Sequence, residues 1–364
     1  MPEPTQNLFG SEEITLRERL APVTPHPFHA GQIFHWIYGR GVTDFGKMTD
    51  LPLPIRAVLN DRFRIHPPAI ASVARAADGT TKFTIRLEDG EEVESVLIPE
   101  GRRITLCISS QVGCALGCRF CLTAEMGLRR NLTPGEIVGQ VWSLRQHAGL
   151  FDRTFNLVLM GMGEPMCNLD AVMAALGILA DQRSFATPIR RVTLSTVGHV
   201  PGIRALARYP DRPRLAISLV ATTDAQRDRL MPINRKYPIR ELFSALREYP
   251  LRPKERITFE FVLMAGINDS LEEARRLARL LHGLRSKVNL IRYNRTGRGE
   301  FSPPAEYRVK RFRDRLLELG IPVSIRKQKG EEIYAACGQL ALRRDVPPPG
   351  GKAGGGGPQS GRSG

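Results

Sequence analysis

The sequence predicts an α/β fold: a partial (β/α)6 barrel with a small N-terminal helical domain in front of it and a β extension between the two. From Ile104 onward, β-like runs alternate with helical stretches, the pattern of parallel strands covered by their crossover helices. Between Ser72 and Ile98, short alternating runs broken by Asp-Gly turns read as an antiparallel meander. Ahead of Pro68, apolar residues recur at helical spacing.

In chain order, Ser11-Glu12-Glu13-Ile14 opens like a capped helix, and residues 28–38 set Ile33, Phe34, Ile37 and Tyr38 at helical spacing before Gly39 and Gly41. A third helix is expected after Pro54, through Ile55, Val58 and Leu59, and residues 63–68 read as a linker. Strands are expected at 72–76, 81–87 and 94–98, with Asp78-Gly79 and Asp89-Gly90 as turns. Further strands are expected at 104–109, 155–160, 191–196, 215–220, 257–264 and 288–292, fewer than the eight of a closed barrel. Thr133-Pro134-Gly135-Glu136 is a capping box with proline at the first helical position, and it opens a helix through Trp142 to about His147. Other helices are expected near 170–180, 203–208, 239–248 and 271–281, then at 307–319 before a strand at 323–326. The expected divisions are residues 1–70 for the helical domain, 71–100 for the β extension, 101–342 for the core and 343–364 for a tail. That tail, with Pro347-Pro348-Pro349-Gly350 and Gly354 to Gly357, has too little apolar content to fold and is expected to be disordered.

At 364 residues, 42% hydrophobic and 25% charged, the composition is that of an ordinary globular protein able to bury a full core. No apolar stretch approaches the roughly 18–20 residues of a membrane span, and the first eleven residues are polar and Pro-bearing, unlike a secretory signal. The expectation is a cytoplasmic protein with no membrane partner. The 53 Lys and Arg outnumber 37 Asp and Glu, for a net charge of +16, with arginine clusters at 102–103, 129–130, 190–191 and 311–315. A polyanion, and nucleic acid first, is the natural partner of such a surface. Solvated helix faces or genome composition would give the same excess.

The chemistry concentrates in Cys114-Ala-Leu-Gly-Cys118-Arg-Phe-Cys121, directly after the strand at 104–109. Thiolates are the ligands of iron–sulfur clusters, and a [4Fe–4S] cluster held by three of them leaves one iron open to a further ligand. Structural zinc takes four closed ligands, commonly two CxxC pairs, and no second pair is present; Cys107, Cys167 and Cys337 are scattered. Disulfide frameworks belong to small secreted chains. In α/β folds ligands gather beyond the carboxyl ends of strands, which directs attention to Gly161-Met162-Gly163-Glu164-Pro165, Ser195, Thr196, Ser218 and Asn294. Taken singly, each reads as a turn or a cap; as a ring around one barrel mouth they read as a binding site.

These motifs together resemble the radical S-adenosylmethionine (SAM) superfamily, and Gln111 to Cys121, Leu230-Met231-Pro232-Ile233-Asn234 and Ala335-Ala336-Cys337-Gly338-Gln339 resemble its RlmN family of adenine-C2 RNA methyltransferases. The resemblance runs from about residue 28 to 342 and implies a partial radical SAM barrel. It implies that Cys114, Cys118 and Cys121 hold the cluster, whose open iron chelates SAM. It implies SAM contacts at Gly163, Glu164, Ser195, Ser218, Leu219, Val220 and Asn294. It further implies that Cys337 is the cysteine that is methylated, Cys107 its disulfide-forming resolving partner, and Glu94 the proton acceptor. Carbon 2 of adenine lacks a lone pair, so a radical route is needed: a SAM-derived radical activates the S-methyl group, the carbon adds to the base, and Cys107 frees the product by disulfide formation.

The substrates so implied are an adenine of 23S rRNA and the adenine 3′ of the anticodon in tRNA. Reduced flavodoxin or ferredoxin is the implied electron donor, and a monomer the implied state. The chain departs from the family pattern at Val220, where the family has His, and at 122–126, where Leu-Thr-Ala-Glu-Met replaces the more common Ala-Thr-Gly. Cys167 matches no family role and reads as structural. Two other readings remain at this stage: a Cfr-type adenine-C8 methyltransferase, and a non-catalytic RNA-binding protein stabilised by a metal.

Overall fold

The computed structural model describes residues 6–342 save 25, 152 and 298; the expected tail at 343–364 lies outside the described residues. The N-terminal part comprises β1 (Gln6–Asn7), α1 (Glu13–Leu20), α2 (Phe28–Phe34), a π-helical turn at His35–Gly39, α3 (Leu53–Arg62) and β2 (Phe63–Arg64). The linker expected at 63–68 is instead partly ordered into β2, which pairs in parallel with β1, and Phe63 and Ile65 are buried. Amphipathic spacing alone does not reveal such a two-residue pairing, because its partner lies near the other end of the domain.

The meander follows as β3 (Ala69–Arg75), β4 (Thr81–Arg86) and β5 (Glu92–Glu100), and β6 (Arg103–Ile108) continues from it. Next come β7 (Gln111–Gly113) and β8 (Leu128–Asn131), an antiparallel pair that encloses the cysteine loop. The capping box is formed as expected: the Thr133 side chain accepts from the Glu136 amide while Glu136 accepts from the Thr133 amide, starting α4 (Pro134–Ala148). Alternation then proceeds through β9 (Asn156–Leu159), α5 (Leu169–Ala180), β10 (Val192–Thr196), α6 (Val200–Leu206), β11 (Arg214–Ser218), α7 (Asp224–Leu230), α8 (Ile239–Glu248), β12 (Ile257–Leu263), α9 (Leu271–Leu281), β13 (Ser286–Arg292), α10 (Glu306–Glu318) and β14 (Val323–Ile325). The helix expected at 203–208 begins three residues earlier, capped by the His199 side chain, which accepts from the Gly202 amide.

One ten-stranded sheet, ordered β14-β13-β12-β11-β10-β9-β6-β5-β4-β3, carries both the meander and the barrel strands. β6 pairs antiparallel with β5 and parallel with β9, so the β extension and the core share a backbone ladder. Right-handed crossover helices cover the outer face of such a sheet and leave its carboxyl ends open. The gap between β14 and the meander is bridged by the C-terminal loop: the Gly330 amide donates to Asp78, and the Ala77 amide to Glu332.

The helical part rides on α4. Gly10 and Gly135 approach so closely that a Cβ on Gly10 would lie 2.3 Å from the Gly135 Cα. Tyr38 accepts from the Gly10 amide at 2.7 Å, and Arg145 donates to the Tyr38 carbonyl at 2.9 Å. One continuous hydrophobic core therefore runs from Leu8 to Leu340. No helix among the described residues is long and apolar enough to cross a membrane.

Candidate functional site

A cavity opens at the carboxyl ends of the parallel strands. Its walls take Cys114, Cys118 and Cys121 from the β7–β8 loop, Gly163 and Glu164 from the loop after β9, and Ser195 and Ser218 from the ends of β10 and β11. Asn294, after β13, and Cys337, in the C-terminal loop, complete it.

The cysteine loop is held by backbone geometry. Gly113 has φ +76°, and a Cβ there would lie 1.8 Å from the Gly127 carbonyl oxygen, which accepts the Cys114 amide at 2.8 Å. Only glycine fits a positive φ against a backbone oxygen. Arg119 donates its amide to the Leu230 carbonyl, which ties the loop to Leu230-Met231-Pro232-Ile233-Asn234. Asn234 in turn accepts from the fully buried Arg227 at 2.9 Å, and Arg227 also donates to the carbonyls of Leu219 and Val197. That motif is thus a strut under the cysteine loop and the two loops beside it.

Burial and the neighbouring cysteines push the Cys118 thiol well above its usual range, and burial pushes Cys114 up to about 11. Thiols in this state give up their protons when metal cations take their place. Among the described residues no three His, Cys, Asp or Glu side chains converge closely enough to hold one metal ion. Three cysteines lining one cavity suit a cubane cluster, which takes its thiolates at separate corners, whereas a closed structural zinc site takes four ligands. The donor set therefore fits an iron–sulfur cluster with one open iron.

Glu164 is a buried strut: one carboxylate oxygen accepts the Met166 amide at 3.0 Å and the other the Val197 amide at 2.9 Å. Burial pushes its carboxyl up to about 7 despite those donors. Gly163, at φ +98°, leaves no room for a side chain, since a Cβ would lie 2.8 Å from the Gln111 backbone nitrogen. Gly163, Glu164, Ser195, Ser218 and Asn294 thus converge as the sequence led one to expect. Leu219 and Val220 do not line the cavity; both are fully buried, and the Val220 carbonyl accepts from Asn268 at 2.7 Å. The Val220 side chain therefore sits outside the cavity lining. Val220 holds φ +62°, costly for a β-branched residue, at the turn that carries Ser218 to the cavity.

The 122–126 segment is a 3₁₀ turn that docks the C-terminal loop: the Leu122 amide donates to the Gly338 carbonyl at 2.8 Å and the Thr123 hydroxyl to the Leu340 carbonyl at 2.6 Å. Asn294 donates to the Cys337 carbonyl at 3.1 Å. Cys337 is exposed through the cavity it lines, yet the protein around it, with nearby Glu260, raises its thiol. It also lines a second, adjoining cavity whose wall includes Cys107. The two thiols, 230 positions apart in sequence, therefore face one space. Burial, aided by the charge of Cys337, pushes Cys107 up to about 12.

Glu94 does not line the cavity; it is buried, and its carboxylate accepts at 2.9 Å the amide of Ala341, which follows the cavity-lining Leu340. Sequence reading missed Glu260 and Arg326, which both line the cavity. Glu260 accepts from Asn289 at 2.9 Å, and Asn289 from Ser324 at 2.8 Å, a polar ladder across three paired strands. A lone carboxylate in the apolar run Ile257–Leu263 was the available signal. Cys167 is exposed beside the Glu164 loop and lines neither cavity.

Residues 108–278 match the family model of the Radical SAM superfamily, and residues 6–65 that of the Ribosomal RNA large subunit methyltransferase N-terminal domain. The dual-specificity RNA methyltransferase RlmN of Syntrophotalea carbinolica is 49% identical over 343 residues, 94% of this chain and 90% of its own length. The protein of the same description from Anaeromyxobacter sp. is 46% identical and covers 96% of each chain. The crystal structure of a radical SAM methyltransferase from Sphaerobacter thermophilus superposes with a TM-score of 0.87 at 44% identity, covering 92% of this chain and 99% of that one.

Proposed function

Because the chain belongs to the RlmN family of the radical SAM superfamily, we propose that it methylates carbon 2 of an adenine in 23S rRNA and of the adenine 3′ of the anticodon in tRNA. The observation that carries the reading is the meeting of Cys337 with the three loop cysteines in one cavity and with Cys107 in the next. Neither a zinc knuckle nor a simple binding module needs that second pair.

Cys114, Cys118 and Cys121 would hold the [4Fe–4S] cluster. Gly163, Glu164, Ser195, Ser218 and Asn294 would bind SAM from the wall, with Leu219 and Val220 shaping the turn that follows Ser218. Bound there, cluster and SAM supply a methyl group and a hydrogen-abstracting radical, which an aromatic carbon without a lone pair requires.

Cys337 offers its sulfur to the cavity, receives the methyl group and then carries the one-carbon bridge to the base. Glu94, paired with Lys82 at 2.8 Å, takes the C2 proton. Cys107 attacks the Cys337 sulfur; the S–S bond forms as the S–CH2 bond breaks, that bond's electron pair with a proton completes the methyl group on the base, and the odd electron left by the radical addition would pass back to the bound cluster. Because burial favours the Cys107 thiol, its proton must leave before attack; the neighbouring Arg326 eases that loss. A base buried in such a cavity must be flipped out of its RNA, and an arginine-rich surface with net charge +16 suits that partner. The reading also includes reduced flavodoxin or ferredoxin as donor, a monomeric state and a cytoplasmic setting.

The test is anaerobic turnover on 23S rRNA with dithionite and SAM. Mass spectrometry of digested RNA should place the new methyl on C2, and Cys107→Ala should trap an RNA–protein adduct through Cys337. A C8 product would assign the Cfr-type activity instead. Tight zinc with no 5′-deoxyadenosine formed would overturn catalysis altogether.

A further inference from the structure

Lys82 lies on β4 with its side chain 10% exposed, and its Nζ is 2.8 Å from Oε1 of Glu94, whose side chain is 2% exposed. The β4–β5 register sets Thr84 opposite Glu94, so Lys82 reaches Glu94 on the diagonal two residues away. An ammonium group buried this deeply is costly unless a carboxylate meets it. The pair does more than neutralise itself. The second Glu94 oxygen accepts the Ala341 amide at 2.9 Å, and Lys82 Nζ lies 3.5 Å from the Tyr334 carbonyl oxygen. Tyr334 and Ala341 bracket Cys337, so one buried ion pair touches both ends of the loop that carries the cavity cysteine. The middle of that loop is tied to the opposite wall, through Asn294 at the Cys337 carbonyl and the Leu122 amide at the Gly338 carbonyl.

We propose that Lys82 is a positioning residue for the methyl transfer: it orients the Glu94 carboxylate and, through the same ion pair, fixes both ends of the Cys337 loop, so that proton acceptor and one-carbon carrier share one frame. This rests on the roles given above to Glu94 and Cys337. A purely structural lysine would support every step in proportion to the folded fraction. A positioning lysine separates them, because methylation of Cys337 does not use Glu94 whereas release of the adduct does.

The experiment compares reconstituted holoenzymes of the wild type, Lys82→Met, Lys82→Gln, Lys82→Arg, and Cys107→Ala as the adduct control. Methylated Cys337 is read by peptide mass spectrometry, adduct by denaturing gel, and methylated adenine by nucleoside mass spectrometry. Iodoacetamide alkylation of Cys337 in cluster-free protein reads the loop without turnover. Lys82→Met should keep its methylated Cys337, accumulate adduct, lose at least about tenfold in methylated adenine, as misplaced catalytic groups do, and alkylate faster at Cys337. Lys82→Arg should recover most of the product.

Wild-type adduct and product in Lys82→Met would overturn the proposal. So would a parallel fall of methylated Cys337 and product that Lys82→Arg does not relieve. Should Lys82→Met not fold, Lys82→Gln, which keeps Glu94 and a polar side chain at the site, must accumulate adduct; wild-type turnover in it overturns the proposal. Adduct in Cys107→Ala but none in Lys82→Met or Lys82→Gln defeats the positioning role alone. No adduct in Cys107→Ala defeats the underlying mechanism as well.

Discussion

Replacing Gly113 by alanine tests whether the cysteine loop owes its shape to one backbone contact. The new Cβ would lie 1.8 Å from the Gly127 carbonyl oxygen, a backbone atom that cannot rotate away. At φ +76° an L-residue costs about 1–2 kcal/mol before any clash. Relieving the clash pulls the oxygen off the Cys114 amide, now at 2.8 Å, which loses a hydrogen bond of about 1 kcal/mol and leaves polar groups that must find other partners. The sum, about 2–4 kcal/mol, is less than the 5–15 kcal/mol typical of a whole domain. The chain should therefore fold while Cys114 is displaced from its place on the cavity wall. Anaerobic reconstitution followed by iron and sulfide analysis and visible absorbance reads cluster content, and circular dichroism reads the fold. Wild-type iron and sulfide content with an unchanged melting temperature in Gly113→Ala would refute the argument.

Arg227→Met removes the donor shared by the Val197 and Leu219 carbonyls and Asn234, and should cost about 3–5 kcal/mol in urea unfolding of the cluster-free chain; a loss below about 1 kcal/mol would show the hub to be idle. Glu164 has a folded pKa raised to about 7 from its ordinary 4.5, so its contribution is fully present below pH 4.5 and is lost as pH rises through 7. Calorimetry of cluster-free protein should show about 3 kcal/mol of stability lost across that window, and a Glu164→Gln variant should lack that slope. The Cys107 thiol, held near 12, must ionise to attack Cys337, so decay of the RNA adduct in the wild type should quicken as pH rises from neutral; a flat profile would mean that another step limits release.

The parallel strands β6 and β9 to β14 were legible because most are short apolar runs alternating with helices, one of them opened by the Thr133 capping box. The pairing of β1 with β2 was not, since two residues carry no period and their ladder closes over more than fifty positions. The cavity ring was legible at Gly163, Ser195, Ser218 and Asn294 because strand ends announce themselves in sequence. Lys82 was invisible for the opposite reason: on a strand that reads as amphipathic, a lysine looks like a solvated face, and only the C-terminal loop folding over it makes it a buried partner of Glu94.

By itself, the sequence determined the order of strands and helices, the three-cysteine loop and the family to which the chain belongs, because periodicity, caps and ligand spacing are local properties. Tertiary structure alone decided that Cys107 and Cys337 line one space, that Glu94 is buried against a lysine, and that Leu219 and Val220 lie outside the cavity lining. Those relations join residues on strands far apart in the chain. They exist only once the sheet has curled and the C-terminal loop has closed its open edge.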